Sequence, residues 1–158
     1  MKILVTYFSA SYGITREVAL RLAKGLGADV QEIEPKEIYT EADLNWMDKN
    51  SRSTLEMKDL SSRPEIKSKI DVSSYDVIFV GFPVWWYREP SIIDTFLEST
   101  DFSGKVLIPF ATSGSSGIGK SSDNFRRLAP KAKVLEGRVI KRSESDEQII
   151  SWAKSLLK

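Results

Sequence analysis

At 158 residues the chain is the size of one ordinary domain and too short for two comfortable ones. Hydrophobic residues make up 41% and charged residues 28%, a globular composition, and 23 basic against 22 acidic side chains point to neither nucleic acid nor a membrane surface. The absence of Cys excludes a disulfide framework, a thiol nucleophile, a thiolate zinc site and an iron–sulfur cluster, and the absence of His removes the commonest general base and transition-metal ligand. Redox chemistry in this chain would need a cofactor to carry it.

Ile3 to Phe8 is a short apolar run rich in β-branched and aromatic residues, which predicts a strand buried on both faces. The chain enters this strand directly and has no apolar run near the ~18–20 residues that span a bilayer, so a cytoplasmic location is expected. After Ser9 to Thr15, an amphipathic stretch places Val18, Leu22 and Leu26 on one helical stripe, with Gly25 and Gly27 as its stop. Val30 to Ile33 reads as a second short strand. Pro35 to Ile70 is polar and balanced in charge, and reads as one helix plus a long loop, with Trp46 anchoring that loop to the core.

Val77 to Phe82 is a continuous apolar strand, followed by a loop and a helix around Ile92, Ile93, Phe96 and Leu97, with Pro90 in its first turn. Val106 to Ile108 opens the next strand, where Pro109 cannot donate to a ladder and predicts a bulge. A Gly/Ser loop and a weaker helix through Phe125 and Leu128 follow. The last strand is read at Val134-Leu135 and Val139-Ile140. Ser143 and Asp146 then form a capping-box pattern ahead of a final helix carrying Ile149, Ile150, Ala153, Leu156 and Leu157. Strands alternating with helices predict a single α/β domain over 1–158, a parallel sheet covered on both faces. Ligands of such sheets bind outside the carboxyl ends of the strands, so the loops after the strands are the places to look.

The first loop has three hydroxyls and one Gly before a helix N-terminus, where free N–H groups and the helix dipole favour an anion. An ordinary capped turn uses the same residues. The second loop, Pro83-Val84-Trp85-Trp86-Tyr87-Arg88, carries three consecutive aromatics past a buried strand. They cannot all pack inward, which predicts a wall for a flat aromatic ligand. The third loop, Thr112 to Gly117, is small enough to bring backbone against a ligand edge. Gly114 to Ser121 also satisfies the G-x-x-x-x-G-K-[ST] phosphate-loop pattern, so a nucleotide binder of that type is a remote alternative. No strand ends in the acid that would help hold magnesium, and the aromatic wall would go unexplained.

Taken together, the three loops resemble those of the flavodoxin family. The resemblance rests on Tyr7-Phe8-Ser9-Ala10-Ser11-Tyr12-Gly13-Ile14-Thr15, on Ala42 to Trp46 through Glu65, on Gly81-Phe82-Pro83-Val84-Trp85-Trp86, and on Asp101-Phe102-Ser103-Gly104-Lys105 through Gly114. It covers nearly the whole chain. The resemblance implies a flavodoxin-like three-layer sandwich, a five-stranded parallel sheet with FMN at its C-terminal edge. Ser9, Ser11, Tyr12, Gly13, Ile14 and Thr15 would surround the phosphate. Pro83, Val84, Trp85 and Trp86 would line one side of the isoalloxazine, and Thr112, Ser113, Gly114, Ser115, Ser116 and Gly117 would approach the ring. No catalytic residue and no metal ligand is implied.

The function implied is electron transfer between redox partner proteins, docked transiently. The alternative is an NAD(P)H-dependent reductase of quinones or flavins, in which Arg126, Arg127, Lys131 and Lys133 meet an NADPH phosphate. Residues 71–119 hold six acids against Arg88 and Lys105, whereas 120–142 hold eight bases against Asp123 and Glu136. This asymmetry suggests an acidic patch near the flavin ring that steers a partner.

Overall fold

A computed structural model describes residues 1–10, 13–113 and 117–158. The predicted alternation is present: β1 (Ile3–Tyr7), α1 (Ile14–Leu26), β2 (Asp29–Glu32), α2 (Arg52–Lys58), β3 (Val77–Pro83), α3 (Ser91–Ser99), β4 (Val106–Thr112), α4 (Ser121–Leu128), β5 (Lys133–Val134), β6 (Arg138–Val139) and α5 (Asp146–Leu156). The strands are parallel and lie in the order β2-β1-β3-β4-β5, with β6 also paired to β4. β5 and β6 are two pieces of one fifth strand, so the sheet has five positions.

Because successive side chains of a strand point to opposite faces, each apolar run feeds two cores. Leu4, Ile78, Val80 and Leu107 face the core under α3 and α4, where Ile92, Phe96 and Phe125 are fully or almost fully buried. Val5, Phe79, Ile108 and Phe110 face the other, closed by Val18, Leu22 and Ala19 of α1 and by Ile149 and Ala153 of α5. Among the described residues no helix is long and apolar enough to cross a membrane.

The structure corrects four details. β4 runs straight through Pro109, which pairs with Val80 in register. The irregularity sits in the neighbouring strand: Leu107 pairs with Val134 and Phe110 with Arg138, so the fifth strand carries one extra residue opposite the proline. Gly137 lies there, and a Cβ on it would come 2.2 Å from the Pro109 carbonyl oxygen. Pro90 is the N-cap of α3 rather than a residue of its first turn. The capping box of α5 is Ser145 with Gln148, both reciprocal bonds present, and not Ser143 with Asp146, whose carboxylate accepts from Arg21. Gly27 (φ 62°) ends α1, whereas Gly25 lies inside it because Ile150 of α5 packs where a Cβ would be.

Candidate functional site

Parallel pairing brings Phe8, Pro83 and Thr112 to one edge of the sheet, since Phe8 N–H donates to the Gly81 carbonyl and Val84 N–H to the Thr112 carbonyl (2.9 and 3.0 Å). The first loop is fastened to the end of β4 by a buried hydroxyl pair, Thr15 Oγ1 to Thr112 Oγ1 at 2.6 Å. Gly13 is the N-cap of α1, in the left-handed region (φ 68°, ψ 23°), and has no side chain of its own to cap the helix. The Ser9 hydroxyl accepts from the Arg16 N–H at 3.3 Å. The turn therefore presents a helix N-terminus, hydroxyls and a Cβ-free approach, a donor set that fits a phosphate.

A cavity of about 550 Å³ opens on this edge. Seven of the predicted binding residues line it, from all three loops: Ile14, Thr15, Pro83, Val84, Trp85, Thr112 and Ser113. Ser9 lines a larger neighbouring cavity of about 1000 Å³, which also carries Glu32, Glu34 and Glu41 and is a poor place for an anion. Trp86 lines a third cavity, which shares Val84 and Trp85 with the 550 Å³ one. Gly117 is exposed. Ser11, Tyr12, Gly114, Ser115 and Ser116 lie outside the described residues.

The second loop is a two-residue hairpin. Trp85 and Arg88 exchange both backbone hydrogen bonds (3.0 and 3.2 Å), and the residues at the tip, Trp86 and Tyr87, have φ of 47° and 66°. Two positive φ values in a row belong to the turn that Asn-Gly normally fills, so two bulky aromatics there are strained. Trp85 is held edge-on against Phe8 and Tyr39 at ring centroid distances of 5.7 and 5.5 Å. Trp86 and Tyr87 stand out into solvent, 42% and 72% exposed. The three aromatics thus divide between packing and presentation, as the run of three requires.

Polar groups buried below the hairpin hold it. Arg88 donates to Asp94 Oδ2 at 3.2 Å and to the Met57 carbonyl at 3.3 Å. Glu89 is fully buried and accepts from Asn124 Nδ2 at 2.8 and 3.2 Å. Burial, with the charge of Asp94 beside it, pushes the Glu89 carboxyl up to about 7 against the pull of Asn124 and Arg88. Burial likewise pushes Asp94 up to about 6, only partly offset by Arg88, Arg63 and Arg127.

A family profile described as flavodoxin matches residues 2–156. The chain belongs to the flavodoxin family. Solved structures similar to this flavodoxin-family chain include a protein from Bacteroides eggerthii described as a flavoprotein, 42% identical, TM-score 0.93, covering 99% of this chain and 98% of that one. Another, from Bacteroides uniformis, is 45% identical with a TM-score of 0.91 and 97% coverage of both chains. A flavoprotein from Lactobacillus acidophilus in complex with FMN shares the fold at 24% identity and TM-score 0.73, over 96% of this chain and 98% of that one. Flavodoxin 1 of Escherichia coli is 29% identical over 114 residues, 70% of this chain, and the chain spans about half the length of this curated relative.

Sequence reasoning missed several residues that line the cavities at this edge. Lys141 and Arg142 line the 550 Å³ cavity beside Ile140 and Ser143, and Arg142 pairs with Glu17 of α1 at 2.7 Å. Their charge was visible, but the β6–β4 pairing that carries them to the first loop was not. Tyr39, Leu44, Trp46 and Ser53 come from the polar 36–70 segment. Trp46 does not anchor that segment: it is 69% exposed and lines the first and third cavities, while Tyr39, buried against Phe8, is the anchor.

Among the described residues, the acids of 71–119 do not form the expected patch at this edge. Glu89 and Asp94 are buried, while Asp76 and Asp101 precede β3 and β4 at the opposite end of the sheet. The basic stretch is also displaced: Lys133 starts β5 at that far end, and Arg126 is paired to Asp123 and Glu136. Of the phosphate-loop pattern, Ser121 is fully buried, so its hydroxyl is closed off from a nucleotide-bound metal. The neighbouring Gly119 (φ 61°) instead packs against the hairpin, where a Cβ would lie 2.1 Å from the Tyr87 carbonyl oxygen.

Proposed function

We propose that this flavodoxin-family chain binds FMN in the 550 Å³ cleft and transfers electrons between redox partner proteins that dock transiently at that edge. The observation that carries the reading is the meeting of residues from three separate loops around one cleft at the N-terminus of α1. The FMN complex of the Lactobacillus acidophilus flavoprotein, a chain of the same fold, agrees with it. Gly13, Ile14 and Thr15 would present the N-terminus of α1 to the phosphate, with Ser9, Lys141 and Arg142 around it. Pro83, Val84 and Trp85 would carry the ring on one side, with Thr112 and Ser113 approaching from the next strand. Trp85 is already braced by Phe8 and Tyr39, so little side-chain entropy remains to be lost on binding.

FMN, when bound, supplies one- and two-electron chemistry that no side chain here can. The chain's contribution is to hold the phosphate with hydroxyl, amide and flanking cationic donors and to exclude water from one face of the ring. A cytoplasmic location is the expectation that goes with this role.

The test is a visible spectrum of the purified protein and a flavin fluorescence titration. Quenching that ends at one equivalent of FMN supports the reading, and failure to bind FMN overturns it. Adding NADH and NADPH separates the reductase alternative: rapid bleaching without a partner protein would make the chain a reductase rather than a carrier.

A further inference from the structure

Trp85 is the aromatic residue of the second loop that lines the proposed flavin cleft, and α2 grips it twice. The backbone grip runs through Arg88, which exchanges both hairpin bonds with Trp85 and donates from Nη2 to the Met57 carbonyl of α2 at 3.3 Å. The second grip runs through the ring. The Trp85 indole meets Phe8 and Tyr39 edge-on, at interplanar angles of 89° and 78°. Phe8 directly follows β1 and is fixed by the sheet, its N–H on the Gly81 carbonyl. Tyr39 belongs to no helix or strand, so its ring needs another support.

Two side chains of α2 supply that support. The Tyr39 hydroxyl donates to Glu56 Oε1 at 2.5 Å, and the Arg52 guanidinium lies 3.8 Å from the centre of the ring. Arg52 Nε donates to Glu56 Oε2 at 3.0 Å, and its Nη1 to the Glu37 carbonyl, close to Tyr39 in the chain, at 2.7 Å. Arg52 and Glu56 stand one helical turn apart, so one carboxylate serves both the hydroxyl of the ring and the cation that covers its face. Their side chains are only 21% and 13% exposed, and a charge pair so far from water is weak evidence for stability and better suited to fixing geometry.

We propose that Arg52 and Glu56 are positioning residues for the flavin wall, holding the Trp85 indole in place through Tyr39. The proposal rests on the flavin reading of the cleft and gives the polar 36–70 segment a role in it. Neither Arg52 nor Glu56 lines any of the three cavities at this edge, so both act from outside the site. A ring fixed in advance loses no rotational freedom when a flat ligand stacks on it, whereas a loosened ring must be ordered at the expense of affinity.

The test is the FMN fluorescence titration run as a double-mutant cycle. Glu56→Gln and Arg52→Met should each weaken FMN roughly 3- to 10-fold, the cost of ordering one side chain on binding. In a Trp85→Ala background the same changes should weaken it by less than about 2-fold, because the ring they act through is gone. A second readout needs no flavin. The near-UV circular dichroism of the parent minus that of Trp85→Phe isolates the band of the held indole. The same subtraction made in the Glu56→Gln chain should give a smaller band, with the far-UV spectrum unchanged.

Equal weakening with and without Trp85 would reduce both residues to general structural support and overturn the proposal, as would an unchanged Trp85 band. A chain whose FMN affinity is the same in parent and variants keeps the flavin reading and loses this one. A chain that binds no FMN loses the flavin reading, and the Trp85 band then decides whether Arg52 and Glu56 hold the indole.

Discussion

Replacing Glu89 with Gln should make the protein less stable at pH 4 and more stable at pH 8. The Glu89 carboxyl moves from an ordinary value of 4.5 to about 7 in the folded chain, chiefly through burial. The folded state therefore holds this proton more tightly than the unfolded state does. Below pH 4.5 both states are protonated and the shift contributes nothing. Between pH 4.5 and 7 stability falls as pH rises, and above pH 7 the full cost is present, about 3 kcal/mol at 1.36 kcal/mol per pH unit.

Gln cannot ionise, and its amide oxygen can still accept from Asn124. Its NH2 adds a buried donor where the carboxylate had only acceptors, a penalty of about 1 kcal/mol. The variant should then be about 1 kcal/mol less stable at pH 4, close to the parent near pH 5, and about 2 kcal/mol more stable at pH 8. Urea unfolding at half-unit pH intervals, at one fixed FMN concentration, reads the crossing. Asp94, raised to about 6 from 3.8, contributes in the same direction and should leave a residual slope in the variant. Parallel curves for parent and variant would refute the buried-carboxylate argument.

Three other substitutions test the hairpin and the cleft. Gly119→Ala places a methyl 2.1 Å from the Tyr87 carbonyl oxygen at a φ of 61°, and should cost about 1–3 kcal/mol in urea unfolding and weaken FMN binding. Tyr87→Gly removes an exposed ring from a positive-φ position and should raise stability by up to about 1 kcal/mol, read by thermal unfolding; a loss would show that the ring packs. In the Thr15→Val and Thr112→Val cycle, each single change strands a buried hydroxyl at about 1–3 kcal/mol. The double variant should cost less than the sum of the two, and strict additivity would argue against the 2.6 Å bond.

Ser53 and Trp46 show why part of the site could not be read in advance. The strand–loop–helix units are local: an apolar run, a hydroxyl or aromatic loop, then an amphipathic stripe, all within a few turns of chain. Residues 36–70 carry no such periodicity, and their placement comes from contacts between distant segments, with Tyr39 against Phe8 and Trp85 and Arg52 stacked 3.8 Å over the Tyr39 ring. The charge blocks misled for a related reason. Acids spread along 71–119 divide between the far end of the sheet and buried positions, so their sum describes no surface.

Hydrophobic alternation and loop chemistry determined the parallel α/β fold, the loops that converge at the strand ends, and the family. Both signals are periodic and short-range, and a single chain displays them fully. Which loop residues share a cavity, which of three aromatics faces water, and that Glu89 lies buried were decided only by tertiary packing, because burial and long-range pairing depend on segments the local sequence does not contain.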